Sequence, residues 1–291
     1  MKLTALMLVR NEEWILGASL RAALNWCDEV AILDHASNDR TMGIIYDIAR
    51  ESGVDRINIR HWPDGSQWSE MDQRQRLLEI GRETGASHFA MIDADEIITA
   101  NLWSIARGWI EDLKPREVLD VPMIPVWDGL DHYRDDGSIW STARISLGFK
   151  DSPELCWRPR GEEQYHHHAR APHGAESRVT PQASLVHGSG GVFHLQWADW
   201  NRVTKKHVWY RILERSRWPQ YSVNELNAKY NQAIADRSVT RSQIPSEWWG
   251  RYRRDLVRLE GPYWHEEDSR RMIKEKGMAY FQGLDLLGWN P

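Results

Sequence analysis

The sequence predicts an α/β protein, with a three-layer α/β/α domain around a mainly parallel sheet and a C-terminal helical extension. Apolar runs of strand length alternate with amphipathic segments of helix length through about the first 100 residues. From about residue 199 onward only helical periodicity remains. We therefore predict two domains, residues 1–198 and residues 199–291.

Four strands are predicted in the first domain: a buried strand at residues 2–9, strands at 30–33 and 56–60, and a buried strand that starts at residue 89 and carries Asp93 and Asp95. The segments between them have apolar residues at helical spacing. Asn11 is expected to cap the first helix, and Ser69 with Asp72 has the spacing of a capping box that opens the third. Alternation of this kind predicts strands that run parallel, with helices on both faces of the sheet.

Later segments follow the same signals. A helix is predicted up to Leu113, and residues 118–127 predict a bent edge strand because they contain two prolines. Asp199 or Asn201 is expected to begin a long amphipathic helix with Arg202 and Arg211 on its outer faces. Further helices are predicted at residues 224–235, 247–259 and 269–281.

Composition limits the class of protein. The chain has 291 residues, is 41% hydrophobic and contains only two cysteines, which argues against a disulfide framework or a zinc site. Its net charge of −5 divides into −11 for residues 1–199 and +6 for residues 200–291. The basic part indicates an anionic partner or a membrane surface, although solvated arginine-rich helices give the same pattern. Without a long apolar run, we expect a soluble, cytoplasmic protein.

The run from Phe89 to Glu96 is the most informative stretch, because a short apolar strand ends there in three carboxylates. Side chains alternate faces along a strand, so Asp93 and Asp95 are expected to point the same way and Ala94 the other. Neighbouring acids repel unless a cation lies between them, and Mg²⁺ or Mn²⁺ takes such oxygen ligands together with a substrate phosphate. The alternative is that Asp95 caps the next helix and Asp93 is a solvated strand end.

Four motifs in register resemble the successive signatures of family 2 glycosyltransferases of the GT-A fold. They are Leu8-Val-Arg-Asn-Glu-Glu13, Leu33-Asp-His-Ala-Ser-Asn-Asp-Arg-Thr41, Gln73-Arg74 and Ile92-Asp-Ala-Asp-Glu96. The resemblance covers about the first 100 residues. Two departures stand out: the family's Asp-Asp-Gly-Ser is Asp34-His35-Ala36-Ser37 here, and its Ala-Arg-Asn is Gln73-Arg74-Gln75.

The resemblance implies an inverting transfer of a sugar from a nucleotide-sugar donor, with a UDP-sugar favoured and Mn²⁺ or Mg²⁺ as cofactor. Donor contacts are implied for Arg10, Glu12, Asp34, Arg74 and Asp93, with Asp34 and Arg74 at the nucleoside and Asp93 near the ribose and the metal. Asp95 is implied to hold the metal on the diphosphate. The alternatives are that Asp34 only forms a turn and that Arg74 is a surface helix residue.

The catalytic base is expected between residues 141 and 165, which loosely resemble the family's acceptor loop. An inverting transfer needs a carboxylate to deprotonate the acceptor hydroxyl. Glu163 is the first candidate and Glu162 the second; the alternative is an exposed acidic pair on a loop. The neighbouring run at residues 166–168, three histidines, is expected to be a polar loop; the alternative is that it binds metal or phosphate.

A glycine-rich stretch at residues 188–191 precedes His194. In many relatives a histidine in this position completes metal coordination beside the acidic motif, and the resemblance carries that role to His194. A buried core histidine is the alternative. Lys205, on the predicted long helix, is a candidate for contact with the diphosphate, as is Lys206.

The leading hypothesis is a metal-dependent inverting glycosyltransferase, of the hexosyltransferase type, that acts on a bacterial or phage-related glycan. One alternative acceptor is DNA with hydroxymethylated pyrimidines, for which basic helices and tryptophans would provide phosphate contacts and base stacking. A nucleotidyltransferase would need a glycine-rich phosphate loop, which is not found near the N-terminus. The remaining alternative is a catalytically inactive sugar- or nucleotide-binding module. The oligomeric state is not predicted.

Overall fold

The protein is described by a computed structural model for residues 1–63, 68–157, 170–179, 188–234 and 238–291. It divides into two compact units, each built from several segments. The first unit contains Met1–Ile124, Ser141–His194 and Ile244–Arg258, and the second contains Pro125–Trp140, Leu195–Gln243 and Leu259–Pro291. The division at residue 198 that the sequence suggests stays a prediction.

The elements of the first half of the chain are β1 (Leu3–Val9), α1 (Leu16–Leu24), β2 (Glu29–Asp34), α2 (Thr41–Ser52), β3 (Ile57–His61), α3 (Glu70–Glu83), β4 (His88–Met91), β5 (Glu96–Ile98), α4 (Trp103–Glu111), β6 (Glu117–Pro125) and β7 (His132–Arg134). Those of the second half are β8 (Arg144–Lys150), β9 (Ser177–Val179), β10 (Val192–His194), α5 (Trp200–Arg217), α6 (Val223–Ile234), β11 (Arg241–Gln243), α7 (Ser246–Trp249) and α8 (Trp264–Lys276).

The first unit is built on one large sheet in the order β3-β2-β1-β4-β8-β6-β10-β5, with β9 pairing with β6. The first four strands are parallel, so their carboxyl ends meet at one edge. β4 and β6 pair antiparallel with β8, and β10 pairs antiparallel with β5. The chain adds β2 and β3 on one side of β1 and β4 on the other, which creates a switch point between β1 and β4.

Side chains of the parallel strands alternate between two hydrophobic cores. In β1, Met7 and Val9 belong to the core that includes α1, α2 and α4, while Leu6 and Leu8 belong to the core that includes α3. This alternation follows from the two-residue period of a strand and places helices on both faces of the sheet. The three-layer α/β/α architecture predicted from the sequence is therefore confirmed.

Three element predictions are wrong for local reasons. Asn11 does not cap α1, because its φ of +54° is incompatible with a helix start and α1 begins at Leu16. β6 is not an edge strand, since it lies between β8 and β10, with a bulge between Leu119 and Asp120. The helix predicted at residues 247–259 ends as α7, because Gly250 has a φ of +51°.

The second unit contains α5, α6 and α8, with a small sheet of β7 and β11. α5 begins after Asp199, as predicted, and the Asp199 carboxylate accepts a hydrogen bond from the Asn201 backbone. Arg202 and Arg211 are buried, which contradicts their predicted outer position. Arg211 is accommodated by bonds to the His207 carbonyl and the Asn231 amide oxygen. In the described part of the chain, no helix is both long enough and apolar enough to cross a bilayer.

The contact between α3 and the sheet predicts the effect of adding one methyl group. A Cβ at Gly81 would lie 2.7 Å from Leu6 Cδ2 and 2.8 Å from the Phe89 ring, so Gly81→Ala should lower the free energy of unfolding by about 1–3 kcal/mol. Gly43, in α2, has no atom within 4 Å of such a Cβ, and Gly43→Ala should raise it by about 0.5–1 kcal/mol. Urea unfolding of both variants measures the difference; equal effects would contradict this packing.

Candidate functional site

The candidate site lies at the carboxyl edge of the parallel strands. Val9, Asp34, His61 and Met91 are the last residues of β1, β2, β3 and β4. In open α/β sheets this edge, next to the switch point, is where ligands bind. The loops that follow β1 and β4 carry four of the ten predicted site residues, Arg10, Glu12, Asp93 and Asp95, and Asp34 is the last residue of β2.

The loops after β1 and β2 are fastened to each other. Asn11 donates its backbone N–H to Ser37 Oγ at 2.9 Å, and its side-chain oxygen accepts the Asn38 N–H at 2.8 Å. The Glu12 backbone N–H is bonded to Thr41 Oγ1 at 2.7 Å. The left-handed conformation of Asn11 makes these bonds possible, because it turns the chain towards the neighbouring loop.

Asp34 lies at the end of β2 and is only 2% exposed. Both of its carboxylate oxygens lie 3.3 Å from the Ser37 backbone N–H, and His61 Nδ1 lies 3.3 Å from Oδ2. Asp34 is thus held by its own loop and by β3 as a hydrogen-bond acceptor that is fixed in place. The bonds to Ser37 form the turn that the alternative reading of Asp34 predicted. The Asp34 carboxylate also lies at the carboxyl edge of the parallel strands.

The two departures from the family pattern are partners in space. His35 is buried, and its Nδ1 lies 2.8 Å from the side-chain nitrogen of Gln73. The His35 ring also stacks on Trp68 with a centroid separation of 5.5 Å. A buried imidazole needs a hydrogen-bond partner, and the side chain of Gln73 supplies it for His35. The two departures therefore accompany each other.

The acidic stretch is a turn, which corrects the prediction of a continuous strand. β4 ends at Met91, and the Glu96 N–H bonds to the Asp93 carbonyl at 3.0 Å before β5 begins. Strand alternation therefore does not decide where Asp93 and Asp95 point. Their surroundings differ, and the turn gives each carboxylate its own set of neighbours.

Asp93 is held between two arginines. Arg74 donates from both terminal nitrogens, at 3.4 Å and 3.1 Å, and Arg170 donates to Oδ2 at 3.2 Å. Burial favours the neutral acid, but Arg74 and Arg170 outweigh it and lower the pKa of Asp93. Burial also opposes the charge on Arg74, yet Asp93 and Glu70 raise its pKa. Arg74 is 8% exposed, so it is not the surface residue of the alternative.

Glu96 forms the base of the turn and is 1% exposed. Its carboxylate accepts the Asp93 backbone N–H at 2.9 Å and a bond from Arg170 at 2.5 Å. Burial raises the pKa of Glu96, although the charge of Arg170 opposes the rise. Arg170 also bonds to the Met91 carbonyl at 2.6 Å, so it ties the strand end to the turn.

Sequence reasoning missed Arg170. It lies 77 residues from Asp93 along the chain, and no motif surrounds it. The available signal was the charge of the turn itself, since three carboxylates in four residues require cations nearby.

Asp95 and His194 face each other across the pairing of β5 and β10. His194 is the register partner of Glu96, and its Nε2 lies 3.6 Å from Asp95 Oδ2. Carboxylate oxygen and imidazole nitrogen at this separation suit two adjacent ligands of one divalent ion. Among the described residues, no group of three His, Cys, Asp or Glu side chains could hold a metal. A metal here would need further ligands from substrate or water, as is usual for Mg²⁺.

The glycines before β10 let it approach its neighbours. A Cβ at Gly191 would lie 2.1 Å from the Pro122 carbonyl oxygen, which no other residue could tolerate. Thr99 bonds to Gly191 through both its backbone and its hydroxyl. Phe193 then stacks on Trp249 at 4.6 Å, which fixes the strand from the other side. These contacts explain how a residue so distant in sequence reaches Asp95.

The remaining predicted residues have separate positions. Arg10 directly follows β1, and Glu12 accepts the Trp14 indole N–H at 2.7 Å. Lys205 belongs to the second unit, where its amine pairs with Glu266 and lies 4.9 Å from the centre of the Tyr263 ring. Glu162, Glu163 and the histidines at 166–168 lie outside the described residues.

No protein-family model matches this chain, and no curated protein matches its sequence. Its structure is similar to part of glucosyl-3-phosphoglycerate synthase from Mycobacterium tuberculosis. The complex of that enzyme with Mn²⁺, uridine diphosphate and phosphoglyceric acid is 17% identical, over 43% of each chain, with a TM-score of 0.30. The complex with Mg²⁺ and uridine diphosphate gives the same values. The complex with uridine diphosphate is 17% identical, over 44% of this chain and 45% of that chain, with a TM-score of 0.31. The likeness spans less than half of either chain and is too distant to assign a function.

The contacts of Arg170 predict a specific pattern of stability. Arg170→Gln leaves the buried carboxylate of Glu96 without its cation, and we expect a loss of roughly 3 kcal/mol in the free energy of unfolding. Introducing Glu96→Gln into that variant should restore part of the loss, because the uncompensated charge is removed.

Urea unfolding of the wild type, Arg170→Gln, Glu96→Gln and the double variant gives a double-mutant cycle that measures the coupling between the two residues. Arg76→Gln is a matched control, since Arg76 is more exposed and its ion pairs lie on the surface of α3. A loss from Arg170→Gln that is unchanged in the Glu96→Gln background would contradict the pairing.

Proposed function

We propose that this protein is a glycosyltransferase of the GT-A type that transfers a sugar from a nucleotide-sugar, with a UDP-sugar as the favoured donor, to an acceptor hydroxyl. The proposal rests on the four sequence motifs and on the arrangement of their residues at one edge of the sheet. It includes assignment to family 2, inversion at the anomeric carbon and dependence on a divalent metal.

One observation carries the proposal: Asp95 and His194 lie within 3.6 Å of each other at the carboxyl end of β4. They are separated by almost 100 residues, and the sequence had nominated each as a metal ligand by a different motif. The pair therefore supports a cation site in the position where a donor diphosphate would bind.

The nucleoside end of the donor has a matching hydrogen-bond acceptor. Asp34 presents a fixed acceptor beside the loops after β1 and β3, and a nucleobase imide or a ribose hydroxyl supplies the complementary donor. We propose that Arg10 and Glu12, on the loop fastened to that of Asp34, complete this part of the site. Arg74 acts by orienting Asp93 towards the ribose.

The residues present fit a divalent metal with a mixed oxygen and nitrogen shell. Asp95 and His194 would hold it, and the imidazole favours Mn²⁺ over Mg²⁺. Such an ion supplies stabilisation of the negative charge that develops on the diphosphate leaving group. Asp93 is engaged by two guanidinium groups, so we propose that it orients the donor and does not serve as a metal ligand.

The transfer itself needs a base for the acceptor hydroxyl, and we propose Glu163 with Glu162 as the alternative. We propose a glycan as the acceptor and the cytoplasm as the site of action. Contact of Lys205 with the diphosphate stays a prediction, because its amine pairs with Glu266 within the second unit.

The cation site can be tested by nucleotide binding. We expect the wild type to bind UDP more tightly with Mn²⁺ than with a chelator, and Asp95→Ala and His194→Ala each to weaken Mn²⁺-dependent binding about tenfold or more. Asp112→Ala, an exposed carboxylate at the end of α4, is the control and should bind normally. Calorimetry with UDP in both conditions measures these affinities. Metal-independent binding that survives both substitutions would remove the metal from the proposal.

The base can be tested without knowing the acceptor in advance. We expect Glu163→Gln to keep UDP affinity and to lose transfer by about 10²-fold or more, because the hydroxyl proton is no longer accepted. The assay screens nucleotide-sugars for nucleotide release, first with saccharides and then with hydroxymethylated DNA. Glu162→Gln is the matched variant: loss of transfer from it alone would reassign the base to its neighbour.

A further inference from the structure

A cavity lies beside α1 and α2, in the helical layer on one face of the sheet. Its volume is about 470 Å³, which is within the usual range for small-molecule sites. It is bordered by α1, α2 and the segment 255–258, and it shares no lining residue with the acidic turn. The proposed donor site therefore does not include this cavity.

The floor of the cavity is apolar and closely packed. Leu256 lies over Gly17, where a Cβ would be 3.5 Å from the leucine side chain, and Ile44 contributes the neighbouring wall. The Arg258 backbone N–H bonds to the Trp14 carbonyl at 2.7 Å, which fixes the segment that carries Leu256 against the start of α1. The cavity is thus part of the packed first unit and does not depend on a loose surface segment.

The rim carries four arginines and four carboxylates, but their charges are not paired evenly. Arg21 makes a bidentate pair with Glu51, at 2.8 Å and 2.7 Å. Arg50 pairs with Asp47. These contacts neutralise two of the carboxylates within the rim.

The third carboxylate, Asp255, is paired with Arg253, which donates to it at 2.9 Å and 2.7 Å. The fourth, Glu13, accepts the backbone N–H of Arg40 at 2.9 Å. In the described ranges, the guanidinium groups of Arg40 and Arg258 make no ion pair, and both side chains are exposed at the rim. Two guanidinium groups without an ion pair in these ranges therefore border the apolar floor of the cavity.

We propose that this cavity binds a small organic anion, a molecule with a phosphate or carboxylate group on an apolar or ring-shaped body. Arg40 and Arg258 bind the anionic group, for which the planar guanidinium geometry is well suited. The surface of Gly17, Ile44 and Leu256 contacts the body of the molecule. The site is independent of the proposed transferase activity, because it uses none of the donor-site residues.

The experiment is direct binding to the full chain at low ionic strength, with phenyl phosphate, benzoate and inorganic phosphate as probes. We expect saturable binding of at least one organic anion, tighter than that of inorganic phosphate, because only the organic probes contact the floor. Binding should weaken as salt is added. A melting-temperature increase with ligand concentration gives a second measurement of the same equilibrium.

Substitutions identify the site. Arg40→Gln and Arg258→Gln should each weaken the affinity about tenfold, and the double variant should show no saturable binding. Arg251→Gln is the matched control, because Arg251 is an exposed arginine on the same returning segment but does not line the cavity. Should the double variant fail to fold, the two single variants decide.

Several results would overturn the proposal. These are no saturable binding of any probe, equal affinity for inorganic phosphate and both organic anions, or unchanged affinity in the Arg40 and Arg258 variants. Asp95→Ala separates this site from the donor site, since anion binding should persist in it. Loss of anion binding in Asp95→Ala would assign the anion to the donor site and overturn the proposal, whatever the outcome for glycosyl transfer.

Discussion

The structure of the candidate site depends on one electrostatic constraint, the neutralisation of the acidic turn by Arg74 and Arg170. Asp93, Asp95 and Glu96 lie within four residues, and Glu96 is almost completely buried. Without cations, such a cluster would neutralise itself by proton uptake or would open to solvent. The two arginines hold Asp93 ionised and keep the turn closed, so that Asp95 is the carboxylate left beside His194.

The same constraint links the layers of the first unit. Arg74 comes from α3, below the sheet, while Arg170 reaches the turn from beyond β8 and also binds the carbonyl of Met91. β10 also packs closely against β5 and β6. Only a glycine at position 191 allows this close approach, because any Cβ there would collide with Pro122 of β6. The closeness of Asp95 and His194 therefore requires a helix, a strand end and a distant strand to be correct together, and a fault in any one of them would separate the two side chains.

Much of this arrangement could be predicted, and the failures have clear physical causes. β1, β2 and β4 were recognisable because each contains an apolar run that is buried on both faces, whereas β3 is partly exposed. Asp93 and Asp95 could be nominated because acidic residues at the end of an apolar strand lie at one edge of a parallel sheet, whereas Asp34 was nominated by the family resemblance. The length of β4 was misjudged because Ile92 and Ala94 are apolar and buried, yet belong to a turn. Arg170 and the partnership of His35 with Gln73 depend on contacts between distant segments, which periodicity does not encode.

The sequence alone determined the layer architecture and which residue types stand at the carboxyl edge of the parallel strands, because local periodicity and strand direction fix these properties. Only the tertiary structure decided which carboxylate is held by arginines and which faces the imidazole. It also decided that Arg202 and Arg211 are buried and that segment 255–258 returns to cover α1. These outcomes follow from packing and charge compensation between segments far apart in the chain, and their energies exist only once the chain has folded.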